Sequence, residues 1–571
     1  MKYKRKPAAR WLPAALLSIA SVSAWAAAQH NASLTFDPAD FTTLHITVDG
    51  APMEVRRYHV LYAGKPVVMA VTQPARDVGL RGGPAGGVAR DPASPPDPLG
   101  YQSMYIYVPG SAYDNNRTAI ILQVGNAGWR ASTAQDRVME GGKFIGTNDT
   151  DNTGAALKAG YVVVNAGTRS RGITAADDTW AGKSPAVIVD AKAAIRYLRR
   201  NDAVMPGSAE RIVITGTSGG GGLSVSVAAS GNSPDYFPYL AEIGAAGIDR
   251  NGKSTIRDDV FATVAYCPVN DLGHADIAYE WQYNAVRTAA NTTRGEYPAD
   301  MQKASAALAA AYPAYLASLK LKADDGSPLT AAKLQQAIIE QIKKGAEAGI
   351  ARGETIPALG EDIALEGGRG PSGKAKNDWL IIENGKVKDI DYKKYLTFVS
   401  AATALKVAPA FDPSANTGNK TASGESSLFG PATAEYSNYA EFSWNHNDVK
   451  GDGSGVDDTG KDWAAYIAGP GRKLAEQIKM VTPLPYLNKS ADSAPNWYFR
   501  HGLVDRDTSF AAQVTLYFAL RNDPAVKDIN FQLAWLKPHS GNYDVQEAYA
   551  WVAKVLATAG DPPVFVAPRT T

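Results

Sequence analysis

The sequence contains very little cysteine. Cys267 is the one cysteine in 571 residues, so no disulfide within the chain can cross-link it, and an apolar core must hold the fold. Cys267 ends the apolar run that begins at Val260. This position predicts a small buried side chain rather than a catalytic thiol.

Excess charge of either sign is also absent. Lys and Arg number 58 against 57 Asp and Glu, which leaves a formal net charge of +1. Charges that nearly cancel give no sign of the basic surface that polyanions require, so we expect no nucleic-acid partner. After residue 28 no apolar run is long enough to span a bilayer, and we expect no membrane partner.

The first 28 residues have the pattern of a secretory signal peptide. A basic start, Met1–Lys6, precedes the apolar run Trp11–Val22 and the small residues Ala24–Ala28. The apolar run is shorter than the roughly 20 residues that a spanning helix needs. We therefore expect export, either to the periplasm or out of the cell.

One glycine-rich stretch carries a serine at its centre. The β-branched run Ile212–Ile214 leads into Gly216–Gly220 (Gly-Thr-Ser-Gly-Gly), and Leu223–Ala229 is suited to a helix. This order is typical of a G-x-S-x-G elbow, in which a strained turn lifts the serine hydroxyl above a sheet and glycines permit close packing. It predicts Ser218 as a nucleophile. For the motif alone, a glycine-rich turn between two core elements is the alternative.

The same stretch argues against a nucleotide cofactor. No Lys-Ser/Thr pair follows the glycines, as a phosphate loop requires, and the G-x-G-x-x-G spacing fails at every offset. We expect no cofactor and no metal ion.

Strand and helix patterns alternate on both sides of the elbow. Helix periodicity runs from Pro185 to Arg200. The predicted strands before and after it are Met104–Val108, Ala119–Val124, Tyr161–Val164 and residues 260–266. This alternation predicts an α/β fold, a mostly parallel sheet with helices on both faces.

A long insertion interrupts this alternation. Alanine- and charge-rich helices, Ser305–Leu319 and Ala331–Ala348, replace the strand pattern, which resumes at Asn496. A connection this long is far beyond ordinary loop length. We predict a catalytic domain made of residues 29–284 and 485–571, with residues 285–484 inserted between strands as a mainly helical lid.

A serine nucleophile needs a general base, which in this sheet type comes last along the chain. His539 follows the last predicted strand, Ile529–Trp535, in a turn at its carboxyl end. The final helix is expected to begin at Asp544, with Glu547 completing a capping box. His501 is interpreted as a core residue at a strand end, so His539 is the predicted base.

The acid that orients the base should follow the preceding strand. Asp505 comes first out of that strand and can reach inward to His539, so we assign the triad to Ser218, Asp505 and His539. Asp507 is the alternative acid; otherwise it would cap the helix Phe510–Arg521.

The oxyanion formed during ester cleavage needs two N–H donors. Gly219 follows the nucleophile directly and is expected to supply one. The second should come from the loop Gly125–Gly128, with Gly125 and Asn126 as candidates between which the sequence does not choose.

Many segments of the chain resemble the bacterial tannases of the lactobacillus type, the tannin acyl hydrolases. The resemblance covers nearly all of the mature chain, and the segments around Asp505 and between Phe411 and Gly430 are especially specific. The matching segments are Ala159–Val164, Pro185–Leu198, Gly216–Gly220, Ala265–Pro268, His274–Gln282, Lys406–Asp412, Glu425–Gly430, Arg500–Phe510 and His539–Asp544.

The resemblance implies an α/β-hydrolase fold with a large lid, and it implies the same triad. It further implies that Lys406, Glu425 and Asp507 contact the three phenolic hydroxyls of a galloyl group. Composition alone would make Lys406 and Glu425 a solvated pair on the lid. The expected partner is a small aryl ester, a galloyl or protocatechuoyl ester of hydrolysable tannins.

Two departures affect the expected shape of the lid. The spacing between Lys406 and Glu425 is longer than the family pattern suggests, and the loop Asn445–Gly460 has more residues. That loop has the composition of a calcium site, but the EF-hand register fails and no glutamate closes it, which favours a solvated loop.

Two other functions stay open. A feruloyl or broader aryl carboxylesterase would use the same triad, and an inactive polyphenol-binding protein could have the same fold. The sequence does not indicate the natural alcohol or the oligomeric state.

Overall fold

The computed structural model describes residues 34–70, 99–365, 373–413, 424–489 and 491–560. The predicted signal peptide lies outside these residues and stays a prediction. Within them, no helix has both the length and the apolar character that crossing a membrane would take.

The strands of the described residues form one large sheet and two small ones. Ten strands make the large sheet, in the order β14-β13-β8-β7-β4-β6-β3-β2-β1-β5, and β9–β10 and β11–β12 are separate pairs. In chain order the strands are β1 (Thr42–Val48), β2 (Ala51–Leu61), β3 (Ser103–Pro109), β4 (Ile120–Val124), β5 (Lys143–Phe144), β6 (Val162–Ala166), β7 (Ile212–Thr217), β8 (Ala262–Tyr266), β9 (Asp362–Leu365), β10 (Gly373–Lys376), β11 (Leu380–Glu383), β12 (Lys386–Ile390), β13 (Asn496–Gly502) and β14 (Asp528–Ala534).

The large sheet is mostly parallel, as predicted. Strands β6, β4, β7, β8, β13 and β14 pair in parallel, whereas β3, β2 and β1 run antiparallel at one side. Every residue of β4, β6 and β8 is buried. Such continuous burial is expected of strands covered by helices on both faces, and it explains their β-branched composition.

Helices flank the large sheet and build most of the insertion. They are α1 (Asn152–Lys158), α2 (Ala186–Arg200), α3 (Gly219–Ala229), α4 (Phe237–Glu242), α5 (Ala275–Tyr283), α6 (Ala299–Ser318), α7 (Ala331–Ala351), α8 (Tyr392–Ala402), α9 (Glu441–Asn445), α10 (Val456–Thr459), α11 (Trp463–Ile467), α12 (Arg472–Lys479), α13 (Phe510–Arg521) and α14 (Val545–Thr558).

The insertion leaves the sheet after β8 and returns at β13. Part of it extends the core past the edge strand β14. A Cβ added to Gly345 of α7 would lie 2.1 Å from the carbonyl oxygen of Leu533, and one added to Gly349 would touch Trp535. Trp379 packs against the same tryptophan ring, with centroids 6.1 Å apart. The division into a catalytic domain and a single lid over residues 285–484 stays a prediction.

The capping box predicted for the last helix is wrong. Helix α14 begins at Val545, and the Asp544 side chain accepts no hydrogen bond from its N–H groups. Asp544 instead accepts from Arg500 Nε at 2.7 Å, and Glu547 accepts from Arg500 Nη2 at 2.7 Å. Arg500 is fully buried. Its guanidinium therefore needs carboxylate partners, and this need outweighs capping.

Candidate active site

Ser218 lies at the apex of a strand, a tight turn and a helix, as the sequence predicts. Its backbone has φ 60° and ψ −121°, a conformation that side-chain-bearing residues rarely adopt, and its N–H donates to the carbonyl of Tyr266 at 2.9 Å. A Cβ on Gly216 would lie 2.4 Å from the carbonyl oxygen of Gly220, and one on Gly219 would lie 2.1 Å from Trp129 N. The glycines are therefore required by close backbone approach.

The three side chains predicted as a triad form one continuous chain of hydrogen bonds. His539 Nε2 lies 2.8 Å from Ser218 Oγ, and His539 Nδ1 lies 2.8 Å from Asp505 Oδ2. The second oxygen of Asp505 accepts the N–H of Asp507 at 2.7 Å. The arrangement can withdraw a proton from the serine hydroxyl and stabilise the resulting imidazolium.

These side chains meet because their strands end at the same edge of the sheet. Ser218 follows β7, Asp505 follows β13 and His539 follows β14, all parallel neighbours around β8. Two glycines let the connecting loops come together. A Cβ on Gly502 would lie 2.0 Å from Lys537 O, and one on Gly541 would lie 2.0 Å from Thr217 Oγ1.

The electrostatics of the set favour a charged acid and a strong base. Burial opposes ionisation of Asp505, but His539 and His501 outweigh it and hold the pKa of that carboxyl well below its usual range. Burial also opposes a charge on His539, yet Asp505 and Asp507 raise the pKa of its imidazole well above the ordinary value. The two carboxylates thus stabilise the imidazolium that forms when His539 takes the serine proton.

Cys267 lies beside the acid and the base. Its side chain is buried, as predicted, but its Sγ, a carboxylate oxygen of Asp505 and a ring nitrogen of His539 lie within 4.8 Å of one another. Both ring nitrogens of His539 are already hydrogen-bonded. The side chains of Cys267, Asp505 and His539 therefore form a hydrogen-bonding cluster. This proximity is not predicted by any pattern in the sequence. Its one signal is that Cys267 directly follows β8, the strand between β7 and β13.

The predicted oxyanion loop packs directly on the elbow. A Cβ on Gly219 would lie 2.4 Å from Asn126 O, and one on Gly220 would lie 3.4 Å from Asn126 N. The Asn126 amide donates to Thr168 Oγ1 at 2.7 Å and fixes the loop. Gly219 is the first residue of α3, so its N–H has no partner within the helix. The choice between Gly125 and Asn126 as second donor stays open.

Lys406 and Glu425 lie on the insertion. The ammonium of Lys406 is 4.2 Å from the centre of the Phe411 ring, and Glu425 opens the short 3-10 turn Glu425–Leu428. Both residues are half-buried. Within the part of the chain that the structure describes, neither has a carboxylate or cationic partner in an ion pair, and the two do not pair with each other.

Asp507 lies beside the triad and interacts electrostatically with Lys406. Its carboxylate pairs with Arg506 and lies 3.9 Å from His539 Nε2. Burial opposes its charge, but His539, Arg506 and Lys406 lower its pKa. It does not cap α13, because Ser509 accepts the N–H of Ala512 there. The Asp507 carboxylate is therefore held beside His539 by its ion pair with Arg506 rather than by a helix terminus.

Buried polar groups anchor the segments that carry Lys406 and Glu425. Asp276 of α5 accepts the N–H groups of Ala410, Phe411 and Asp412 at 2.6, 2.7 and 3.0 Å. Asp412 in turn accepts the N–H groups of residues 439 and 440. Burial raises the pKa of Asp276 to about 7. The segment after Lys406 is therefore tied to a helix that starts beside the catalytic sheet.

A buried lysine anchors the segment after Glu425. Lys183 Nζ donates to the carbonyls of Phe429 at 2.7 Å and Glu435 at 2.8 Å. Burial lowers the pKa of Lys183 to about 7, although Glu435 opposes this. The sequence analysis did not single out Lys183, Asp276 or Asp412 as site residues.

The loop predicted to be solvated, Asn445–Gly460, is closed by its own hydrogen bonds. Asp458 accepts the N–H groups of Gly451 and Gly453, and the Asn447 amide donates to the carbonyl of Ser454. It lies on the insertion.

Comparison with known proteins supports the same assignment of fold and chemistry. A family model described as BD-FAE, an α/β-hydrolase family, matches residues 104–314. No match was found among curated protein sequences.

Solved structures match nearly the whole chain. The tannin acyl hydrolase from Lactobacillus plantarum in its native form is 28% identical, with a TM-score of 0.69 over 92% of this chain and 100% of that one. The tannase of Fusobacterium nucleatum is 28% identical, with a TM-score of 0.66 over 92% and 99%. A tannin acyl hydrolase in complex with ethyl gallate is 28% identical, with a TM-score of 0.69 over 92% and 99%.

These similarities confirm the expected resemblance to the bacterial tannases. The fold is that of the α/β-hydrolases, and the chain is a carboxylic ester hydrolase.

Proposed function

We propose that this carboxylic ester hydrolase, similar in structure to the bacterial tannases, cleaves galloyl and protocatechuoyl esters through an acyl-enzyme. One observation carries the proposal. It is the continuous hydrogen-bond chain from Ser218 Oγ through His539 to Asp505, with 2.8 Å at each of the two contacts.

The proposed reaction has two steps. Ser218 Oγ attacks the ester carbonyl while His539 Nε2 takes the hydroxyl proton, and Asp505 stabilises the imidazolium. The N–H of Gly219 and one from the Gly125–Asn126 loop stabilise the oxyanion. The intermediate expels the alcohol, which leaves with the proton from His539. A water molecule then attacks the acyl-enzyme by the same route and releases the aromatic acid.

We propose that Lys406, Glu425 and Asp507 select the acid part of the substrate. Lys406 and Glu425 are half-buried and, among the described residues, have no ion-pair partner. Phenolic hydroxyls can hydrogen-bond to all three charged groups, whereas a ring that lacks these hydroxyls would leave Lys406 and Glu425 desolvated and unpaired. This penalty is larger than the gain from fitting an apolar ring. The complex of a similar tannin acyl hydrolase with ethyl gallate supports the same substrate class.

The test of acid specificity is a comparison of esters that share one alcohol. We expect kcat/KM for methyl gallate and methyl protocatechuate to exceed that for methyl ferulate by about a hundredfold or more. A kcat/KM that is equal for gallate and ferulate would instead support a feruloyl or broad aryl esterase and would refute recognition of the free phenols.

Active-site labelling separates an enzyme from an inert polyphenol-binding protein. A fluorophosphonate should label the wild-type protein at Ser218 and should not label the Ser218→Ala variant, because only an activated serine reacts at a useful rate. Failure of the folded wild-type protein to react would refute the proposed nucleophile.

A further inference from the structure

A second imidazole lies behind the acid of the triad. His501 Nδ1 is 3.4 Å from Asp505 Oδ2, the same oxygen that His539 contacts at 2.8 Å. His501 is fully buried on β13. Among the described residues, neither of its ring nitrogens has a hydrogen bond of normal geometry, and its polar neighbours include Asp505 and Cys267. A buried histidine that serves only packing normally satisfies its ring nitrogens, so this one needs another explanation.

Every element around His501 contributes one of its neighbours. Asp505 comes from the loop after β13, and His539 comes from the turn after β14. Cys267 follows β8, where its N–H donates to the Arg500 carbonyl at 2.7 Å and its φ is 44°. Phe510 of α13 meets the imidazole edge to face, with centroids 5.1 Å apart at 87°. The ring is thereby held with one nitrogen toward the carboxylate.

The position of Nδ1 determines where its proton must be. A lone pair on a nitrogen 3.4 Å from an ionised oxygen would be repelled, whereas an N–H is attracted. Burial opposes a charge on His501, but Asp505 and Cys267 outweigh burial, and the pKa of His501 is raised. The protonated Nδ1 is the form that the surroundings favour.

We propose that His501 is a positioning residue, whose Nδ1–H keeps the Asp505 carboxylate ionised and directed at His539. The inference rests on the proposed function of the triad. Asp505 must remain an anion while His539 carries the serine proton. The Asp507 N–H fixes one carboxylate oxygen, and His501 supports the other, so that His539 retains the tautomer that accepts a proton at Nε2.

Two substitutions at His501 distinguish support of the carboxylate from packing. His501→Leu removes the N–H and keeps a buried apolar side chain. His501→Asn keeps an N–H donor near the Nδ1 position. We expect His501→Leu to lower kcat by roughly tenfold to a hundredfold with KM within about twofold, and His501→Asn to restore most of that loss. The matched control is His45→Leu, because His45 also contacts a carboxylate, Glu140, but is exposed. It should leave kcat unchanged.

A spectroscopic readout tests the same inference without turnover. The downfield proton resonance of His539 Nδ1–H reports its bond to Asp505, and a packing defect elsewhere would not move it. It should shift upfield or broaden in His501→Leu and return in His501→Asn. Equal kcat losses in both variants with an unchanged resonance would overturn the proposal, as would a His501→Leu enzyme of wild-type activity.

The kinetics should be measured on both p-nitrophenyl acetate and methyl gallate. If the acid specificity is wrong, gallate turnover fails in the wild-type protein while the acetate data still test His501. If His501→Leu folds poorly, the proposal is tested by the rate at which a fluorophosphonate labels Ser218 in the folded fraction of that variant. A wild-type rate in that fraction would overturn the proposal, and a rate reduced by the same factor as kcat would support it.

Discussion

The two halves of the candidate site are built in different ways. The half that carries Ser218, Asp505 and His539 lies at the ends of parallel strands. Glycines are required there, because a Cβ added to them would lie about 2 Å from atoms of a neighbouring segment. The half that carries Lys406 and Glu425 lies on loops of the insertion. Three buried side chains, Asp276, Asp412 and Lys183, hold these loops, each through two or three hydrogen bonds to backbone groups. In the proposed function, the sheet edge supplies the chemistry and the side-chain anchors hold the residues that recognise the acid.

The two halves should differ in how well they tolerate substitutions and changes in loop length. A side chain added at the sheet edge collides with backbone, which cannot give way, so the catalytic half tolerates little change. A loop held by a few polar anchors can change length without disturbing the strands. The insertion is therefore where the acid specificity of such an enzyme can change while its triad stays in place.

The largest expected effect comes from removing the nucleophile. Ser218→Ala should lower kcat by more than about ten-thousandfold on both methyl gallate and p-nitrophenyl acetate, because no other group can form the acyl-enzyme. The melting temperature should change little. The exposed Ser318→Ala variant serves as control. Loss of gallate turnover alone, with acetate turnover retained, would contradict the assignment of chemistry to the sheet edge.

The next largest effect is expected on stability, in the part of the insertion that packs against the core. Gly345→Val should destabilise the protein by about 3 kcal/mol, because its Cβ would lie 2.1 Å from Leu533 O on β14. Glu347→Val places the same side chain on the exposed face of α7 and should cost about 0.5 kcal/mol. Urea denaturation measures both. Equal costs would mean that α7 does not pack tightly on β14 and is not part of the core.

Much of the catalytic half could be predicted from the sequence. The alternation of strands and helices indicates a parallel sheet, and in such a sheet residues after neighbouring strands meet at one edge. Ser218, Asp505 and His539 could thus be placed from their positions after predicted strands. Cys267 could not, because its proximity to Asp505 depends on the strand order β7-β8-β13, which the sequence does not encode in any local pattern. His501 was correctly interpreted as a core residue at a strand end, but its contact with Asp505 depends on how the chain turns back after β13.

The recognition half was accessible only through the family resemblance. Its anchors join residues far apart in the chain, such as Asp276 and Phe411, and no periodicity or spacing links them. The capping box at Asp544 failed for a related reason. Local capping preference is worth about 1 kcal/mol, whereas the buried guanidinium of Arg500 would be left unpaired without Asp544 and Glu547.

A smaller effect should separate recognition from chemistry. Glu425→Gln should lower kcat/KM for methyl gallate by about tenfold to a hundredfold, since a hydrogen bond to a charged group contributes about 1.5–3 kcal/mol. It should change kcat/KM for p-nitrophenyl acetate by less than about twofold. Glu441→Gln, exposed at the start of α9, is the matched control. A parallel loss on both esters would place Glu425 in the catalytic half instead.

The smallest effect is a pH dependence of stability that originates in the anchor Lys183. Burial lowers the pKa of this lysine to about 7 in the folded protein, whereas an unfolded lysine has a pKa of about 10.4. Between these values the unfolded chain binds more protons than the folded protein. The contribution of Lys183 to the free energy of unfolding therefore rises with pH across this window, by at most about 1.4 kcal/mol per pH unit. Below pH 7 both states hold the proton and the contribution is constant.

Lys183→Met should remove this pH-dependent increment. Urea midpoints measured between pH 7 and 9 should rise more steeply in the wild-type protein than in the variant, with exposed Lys450→Met following the wild type. The same variant leaves the carbonyls of Phe429 and Glu435 without their donor, so the Glu425 segment should loosen. Gallate turnover should then fall several-fold while acetate turnover holds. Identical slopes in all three proteins would mean that Lys183 keeps its proton, and the segment would then be anchored by a charge rather than by a titrating amine.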